Sequence, residues 1–168
     1  MEKEAILANF RDALRHVAAT VYAVTTGHGG DRFGILATAV SSLSFDPPSL
    51  LVCINRSASL HEPLSTGSVF CVNVLGLGNR DVADRFMKGG TTEERFSVGE
   101  WGEEEGVPVL LNAQSSFVCR VADRHSYGTH TIFVGDLIAA HHRENAKPLT
   151  YYDGRYIDIS GAPDQTAA

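Results

Sequence analysis

Apolar residues at Ile6, Leu7, Phe10, Ala13, Leu14 and Val17 recur at spacings of three and four, which puts them on one stripe of a helix. Glu2, Glu4, Arg11 and Arg15 fall off that stripe. β-branched Thr20 and Val21 end the helical pattern and open a strand through VYAVTT. GHGGDR follows, with three glycines and Asp31, and reads as a turn. The run FGILATAVSSLSF then predicts a second strand over 33–45, closed by Asp46-Pro47-Pro48, because proline has no N–H for a sheet ladder.

SLLVCIN predicts a third, mostly buried strand over 49–55. In SASLHE the pattern Ser59-x-x-Glu62 has the form of a capping box and predicts a helix start. SVFCVNVL predicts a fourth strand, and a second helix is expected at 79–87. Residues 89–106, rich in Gly, Thr and Glu, read as a long irregular loop, and loops of that length in compact domains are usually functional covers. Two long strands are expected at 114–123 and 129–140, then a hairpin of 149–152 and 155–159 around Asp153-Gly154. Strands dominate and the helices do not alternate with them. This predicts a mainly β, α+β fold: an antiparallel barrel with peripheral helices over residues 1–159. Residues 160–168 are expected to form a flexible tail.

Composition narrows the class. The 168 residues fit one domain, and 43% hydrophobic with 20% charged residues is the balance of a soluble globular protein. A net charge of −6 argues against broad nucleic-acid binding, which needs clustered Lys and Arg. It leaves room for a local basic pocket. No apolar stretch approaches the ~18 residues that cross a bilayer, and the charged MEKEAILANF start is unlike a signal peptide, so a cytoplasmic, membrane-free protein is expected. Cys53, Cys71 and Cys119 form no CxxC pair and sit in apolar runs, as buried hydrophobes do.

The sequence lacks GxGxxG, Walker and GxSxG patterns. Its seven histidines offer no HxxxH or HxH spacing, and no metal site is expected. More informative is the crowd of small and hydroxylated residues from Thr38 to Ser44, where a core strand would carry bulky ones. Small side chains let a flat ligand reach the backbone.

The run GILATAVSSLSFDPPSLLVCIN resembles the signature of the flavin-reductase-like, split-barrel FMN-binding family. Its members are the short-chain reductases of two-component flavin monooxygenases. VFCVNVL, DVADRF, VPVL, YGTHTIFVGDL and PLTYYDGRY follow in the family's order, so the likeness covers residues 8–159. It implies an antiparallel split β-barrel of FMN-binding type, a homodimer with flavin at the subunit interface, FMN or FAD as cofactor, and NADH or NADPH as hydride donor, NADH being favoured. A separate flavin-dependent monooxygenase would receive the reduced flavin.

Carried over by position, Thr38, Ala39, Val40, Ser41 and Ser42 would line the isoalloxazine edge and ribityl chain. Cys53, Ile54 and Asn55 would stand beside them, with Arg56, Ser57, Ser59 and Leu60 at the phosphate. Asn73, Arg85 and Phe86 would lie near the cofactor. His130 would face the nicotinamide, with Tyr152 and Tyr156 closing that side. Structural readings stand beside these: Asn73 as a satisfied core amide, Arg85 paired with Asp81 or Asp84, Ser57 and Ser59 as helix caps, and His130 as a solvated side chain. A flavin-binding electron carrier or sensor without nicotinamide turnover is the alternative function. A pyridoxamine-phosphate-type oxidase would need more basic residues around a second phosphate than this chain has.

Overall fold

The computed structural model describes residues 2–161. Helix α1 covers Lys3–Arg15, and its end is tied down by the Arg15–Asp153 ion pair at 3.5 Å and by Asp153 N donating to Arg15 O. The predicted apolar stripe is present, yet none of its residues is buried. Strands β1 (Ala19–Thr20), β2 (Tyr22–His28), β3 (Asp31–Ala37), β4 (Val40–Phe45) and β5 (Pro48–Asn55) follow. Next come β6 (Val69–Val74), α2 (Arg80–Met87), α3 (Thr92–Phe96), β7 (Trp101–Glu104) and β8 (Val107–Leu110). Two long strands, β9 (Ser115–Tyr127) and β10 (His130–His142), precede the closing hairpin of β11 (Leu149–Tyr152) and β12 (Arg155–Asp158). At its turn Asp153 and Gly154 both take positive φ, the geometry for which Asp-Gly is suited.

The main sheet is antiparallel, in the order β3-β2-β6-β9-β10-β5-β4. The expected single strand over 33–45 is therefore two strands on opposite edges, broken at Thr38-Ala39. From Ala37 to Val40 is three Cα steps, so those edges lie within about 11 Å of each other. A sheet whose two edges meet is rolled into a barrel, and here it is split between β3 and β4. Val24, Val52, Ile54, Phe70, Val72 and Phe133 form its main core. Val21, Leu75, Val82, Phe86, Phe96 and Leu149 form a second core under α2 and α3.

Two further expectations are corrected. No helix starts at Ser59; residues 56–63 are consecutive turns. Pro63 has no N–H to offer the carbonyl of Ser59, and the Asn55 side chain instead accepts from Ser57 N and Oγ at 3.0 and 2.9 Å. Residues 89–106 are also not one loop. A capping box joins Thr91 and Glu94 and starts α3, and β7 pairs with β8. Of the expected tail, residues 162–168 lie outside the described residues.

Cys71 and Cys119 are fully buried, and burial pushes both thiols up, that of Cys119 to about 12. Both stay protonated and unreactive near neutral pH. Cys53 is half-buried.

Candidate active site

A groove of about 570 Å³ opens beside the split, between β3, the turn after β5, and α2 and α3. Ser57 and Ser59 form one wall and Arg95 another, with Phe86 and Met87 closing the side. It shares Leu36 and Met87 with an apolar hollow of about 300 Å³ lined by Val21, Ala37, Thr38, Tyr151 and Tyr156. The two hollows are neighbours across Leu36 and Met87, and together they are termed the slot, with a polar, cationic part and an apolar shelf.

Local packing builds each wall. Gly34 lets α2 close on β3, because a Cβ there would stand 2.7 Å from the Phe86 ring. Phe86 stacks on Trp101 at 5.7 Å and meets Phe96 edge-on at 5.6 Å, which fixes the height of α2 above the sheet. Arg85 points from α2 to α3 and holds Glu94 by its carboxylate (3.2 Å) and its carbonyl (2.8 Å). The backbone bond to Thr91 and then the Arg85 charge hold the Glu94 carboxyl below the usual carboxylate range. Helix α3 is thereby clamped with Arg95 facing the groove.

Arg95 donates from Nη1 to Gly34 O at 3.1 Å and to Ser59 Oγ at 3.4 Å. Its Nε is buried and has no hydrogen-bond partner. The part of the guanidinium that lines the groove carries a positive charge with which an anion there would pair. The donor set of Arg95, Ser57 and Ser59 therefore fits a phosphate, and the apolar shelf fits a flat ring system.

The slot gathers Thr38, Ser57, Ser59, Phe86 and Tyr156 from the residues singled out in the sequence. Tyr156 stands 6.0 Å from Tyr151 with Arg80 over its ring, and its buried hydroxyl has no partner. Burial, and then Asp84 and Tyr151, raise its pKa. Ala39 bridges the split, its carbonyl accepting from Cys53 N at 2.9 Å. Val40, Ser41 and Ser42 line a separate apolar groove of about 430 Å³ with Tyr22, Phe45 and Phe117. His130 sits exposed where the β9–β10 hairpin turns, in register with Asn55, with Nδ1 2.9 Å from Thr129 Oγ1. Arg56 N donates to Thr129 O at 2.9 Å, so Arg56 and His130 are close to each other, and neither lines the slot. Leu60 is buried in the core, and Tyr152 packs on His16 away from the slot.

Two assignments made by position take structural roles. Asn73 is fully buried; Nδ2 donates to Ala23 O and Thr25 Oγ1, and Oδ1 accepts from Leu110 N and Cys71 Sγ. It has no polar atom left for a ligand. Arg85 is an ion-pair residue, but its partner is Glu94 rather than Asp81 or Asp84. Arg95 was overlooked in the sequence because 89–106 read as loop, although Thr91-x-x-Glu94 carried the same capping signal sought at Ser59. Among the described residues no three His, Cys, Asp or Glu side chains stand together as metal ligands, and His141 is engaged with Glu104 at 2.8 Å. Among the described residues no helix is long and apolar enough to cross a membrane.

A split barrel with an arginine–serine pocket beside an apolar shelf has the lining of a nucleotide-binding domain whose ligand carries a flat ring system. Residues 14–160 match the family model described as a flavin reductase like domain, and the chain belongs to that family. It is 39% identical over 160 residues to the FMN reductase (NADH) RutF of Pseudomonas syringae pv. syringae, covering 95% of this chain and 88% of that protein. It is 40% identical over 162 residues to the reductase component of the FADH(2)-dependent resorcinol hydroxylase of Rhizobium sp., covering 95% and 90%. The solved NADH:FAD oxidoreductase SgcE6 of Streptomyces globisporus, in complex with NAD and FAD fragments, superposes with a TM-score of 0.86 at 26% identity, covering 98% of this chain and 99% of that one.

Proposed function

We propose that this chain reduces FMN or FAD with NADH in the cytoplasm and passes the reduced flavin to a separate flavin-dependent monooxygenase. The observation that carries the reading is the Arg95 guanidinium lining the groove with Ser57 and Ser59, beside an apolar shelf. The names of its relatives support the same reading: one is an NADH-dependent FMN reductase and another the reductase component of a hydroxylase.

Flavin and nicotinamide themselves supply the hydride acceptor and donor. The chain's own work is to hold two flat groups in contact and keep them there. Arg95, Ser57 and Ser59 grip the phosphate; Leu36, Ala37 and Met87 offer a dry face; the Thr38-Ala39 backbone lies along the edge of the split. The slot lining contains no carboxylate and no histidine, as expected where no general acid–base pair is required. His130 on the rim orients the nicotinamide amide. His130→Ala is expected to lower kcat/KM for NADH about tenfold, the worth of one hydrogen bond of ~1.4 kcal/mol. Unchanged NADH kinetics would place His130 outside the site.

The functional unit in this reading is a homodimer with the flavin at its interface. Phe45 on edge strand β4 is 94% exposed and Phe10 on α1 is 58% exposed, with Ile6, Leu7, Leu14 and Leu43 also open to water. These exposed apolar side chains are the candidate contact surface in this reading. Light scattering should give about twice the 18.1 kDa chain mass. The double substitution of Phe10→Asp and Phe45→Asp should yield a monomer that binds FMN more weakly. A wild-type monomer that holds flavin with full affinity would contradict this.

A further inference from the structure

His61 belongs to no part of the slot, yet it joins both of its functional rims. The turns at 56–63 carry Ser57 and Ser59 and are anchored in the core by fully buried Leu60. Fully buried Leu64 anchors the chain just beyond them. Beside Leu60, His61 Nε2 lies 2.8 Å from Thr131 Oγ1, which lies 3.1 Å from Ser126 Oγ. The ring also stands edge-on to Phe133, 5.5 Å between centroids. Thr131 follows His130 on β10, and neighbouring strand residues face opposite ways. Thr131 therefore faces inward to the serine-bearing turns while His130 stays on the outer rim. Arg124 Nη1 reaches Leu64 O at 3.5 Å beyond the turns, and Arg56 N holds Thr129 O at their start.

We propose that His61 is a positioning residue: through Thr131 it locks the turns of Ser57 and Ser59 to the strand of His130, keeping the phosphate grip and the nicotinamide rim in register. The inference rests on the reduction reading above. Burial, then Arg56 on the same turns and Arg124 on β9, hold the His61 pKa below the usual histidine value. The ring is thus neutral near pH 7, and Nε2 can give or take one proton in the bond to the Thr131 hydroxyl.

The test compares wild type with His61→Phe, which keeps the edge contact with Phe133, and with Thr131→Val. Steady-state kinetics with FMN and NADH and FMN binding by fluorescence quenching are the readouts. Losing one such bond should raise the KM for both FMN and NADH and the Kd for FMN by about 5–10-fold, with kcat changed less than about twofold. The double variant should be no worse than the poorer single one, because both substitutions break the same link. His61→Gln, with an amide atom near the place of Nε2, should recover most of the loss. If the variants lower Tm but leave both KM values and the Kd unchanged, His61 is only structural and the inference fails. If only the FMN terms change, the coupling to the nicotinamide rim fails. A wild-type protein that binds FMN but does not oxidise NADH would overturn the reduction reading itself.

Discussion

Arg95→Gln is expected to weaken FMN binding by roughly 10–150-fold. A hydrogen bond to a charged partner is worth about 1.5–3 kcal/mol, and that range sets the factor. Glutamine keeps a donor for Gly34 O but removes the charge and the planar fork that line the groove. Arg95→Lys should recover only part of the loss, because an ammonium is a point charge and cannot reproduce the planar fork. The effect should appear in the flavin Kd and KM, with the Tm nearly unchanged. Isothermal titration with FMN and a thermal melt on the same sample separate the two. A large fall in Tm with unaltered affinity would make Arg95 a tie between α3 and Gly34 rather than an anion ligand.

Asn73→Ala should have the opposite profile. The amide joins β6 to β2 through Ala23 and Thr25, and to β8 through Leu110. Alanine strands the Leu110 N–H in the core, at about 1–3 kcal/mol, and leaves a cavity where the amide stood, while the Thr25 hydroxyl keeps its bond to Pro108 O. A total near 3 kcal/mol corresponds to a fall in Tm of about 6–12 °C for a chain of this size. Flavin affinity of the protein that remains folded should be unchanged. If affinity falls while the melt is preserved, Asn73 belongs to the cofactor site, as its position in the family pattern suggested.

Asn73 and Arg95 also show which parts of the fold and site are legible in the sequence and which are not. Helix α1 was legible because its stripe repeats at three and four, and the last hairpin because Asp153-Gly154 accepts positive φ. The break at Thr38-Ala39 was not, because every residue from Phe33 to Phe45 tolerates a strand. Only the pairing of β3 with β2 and of β4 with β5 decides it, and that is a long-range fact. The same capping signal occurs twice, and local sequence alone gave no ranking. After Glu62 comes Pro63, which stops a helix; after Glu94 come Arg95 and Phe96, and burial of Phe96 stabilises one. Reading that pair the wrong way hid Arg95. Family order pointed to Ser57, Ser59, Thr38 and Phe86, which line the slot, and to Ser41 and Ser42, which line a separate groove; position alone could not tell that the amide of Asn73 is already fully bonded. Nor could it show that Arg85 acts on the slot only by holding Glu94.

Reduction of flavin by a nicotinamide is the central claim, and one measurement addresses it directly. Purified protein is mixed anaerobically with FMN and NADH, and the yellow absorbance of the oxidised flavin is followed beside a protein-free control. Rapid bleaching that scales with protein concentration, matched by loss of NADH, is the predicted result. Flavin that binds, as fluorescence shows, but stays oxidised at the control rate would contradict it and leave an electron carrier or sensor in its place.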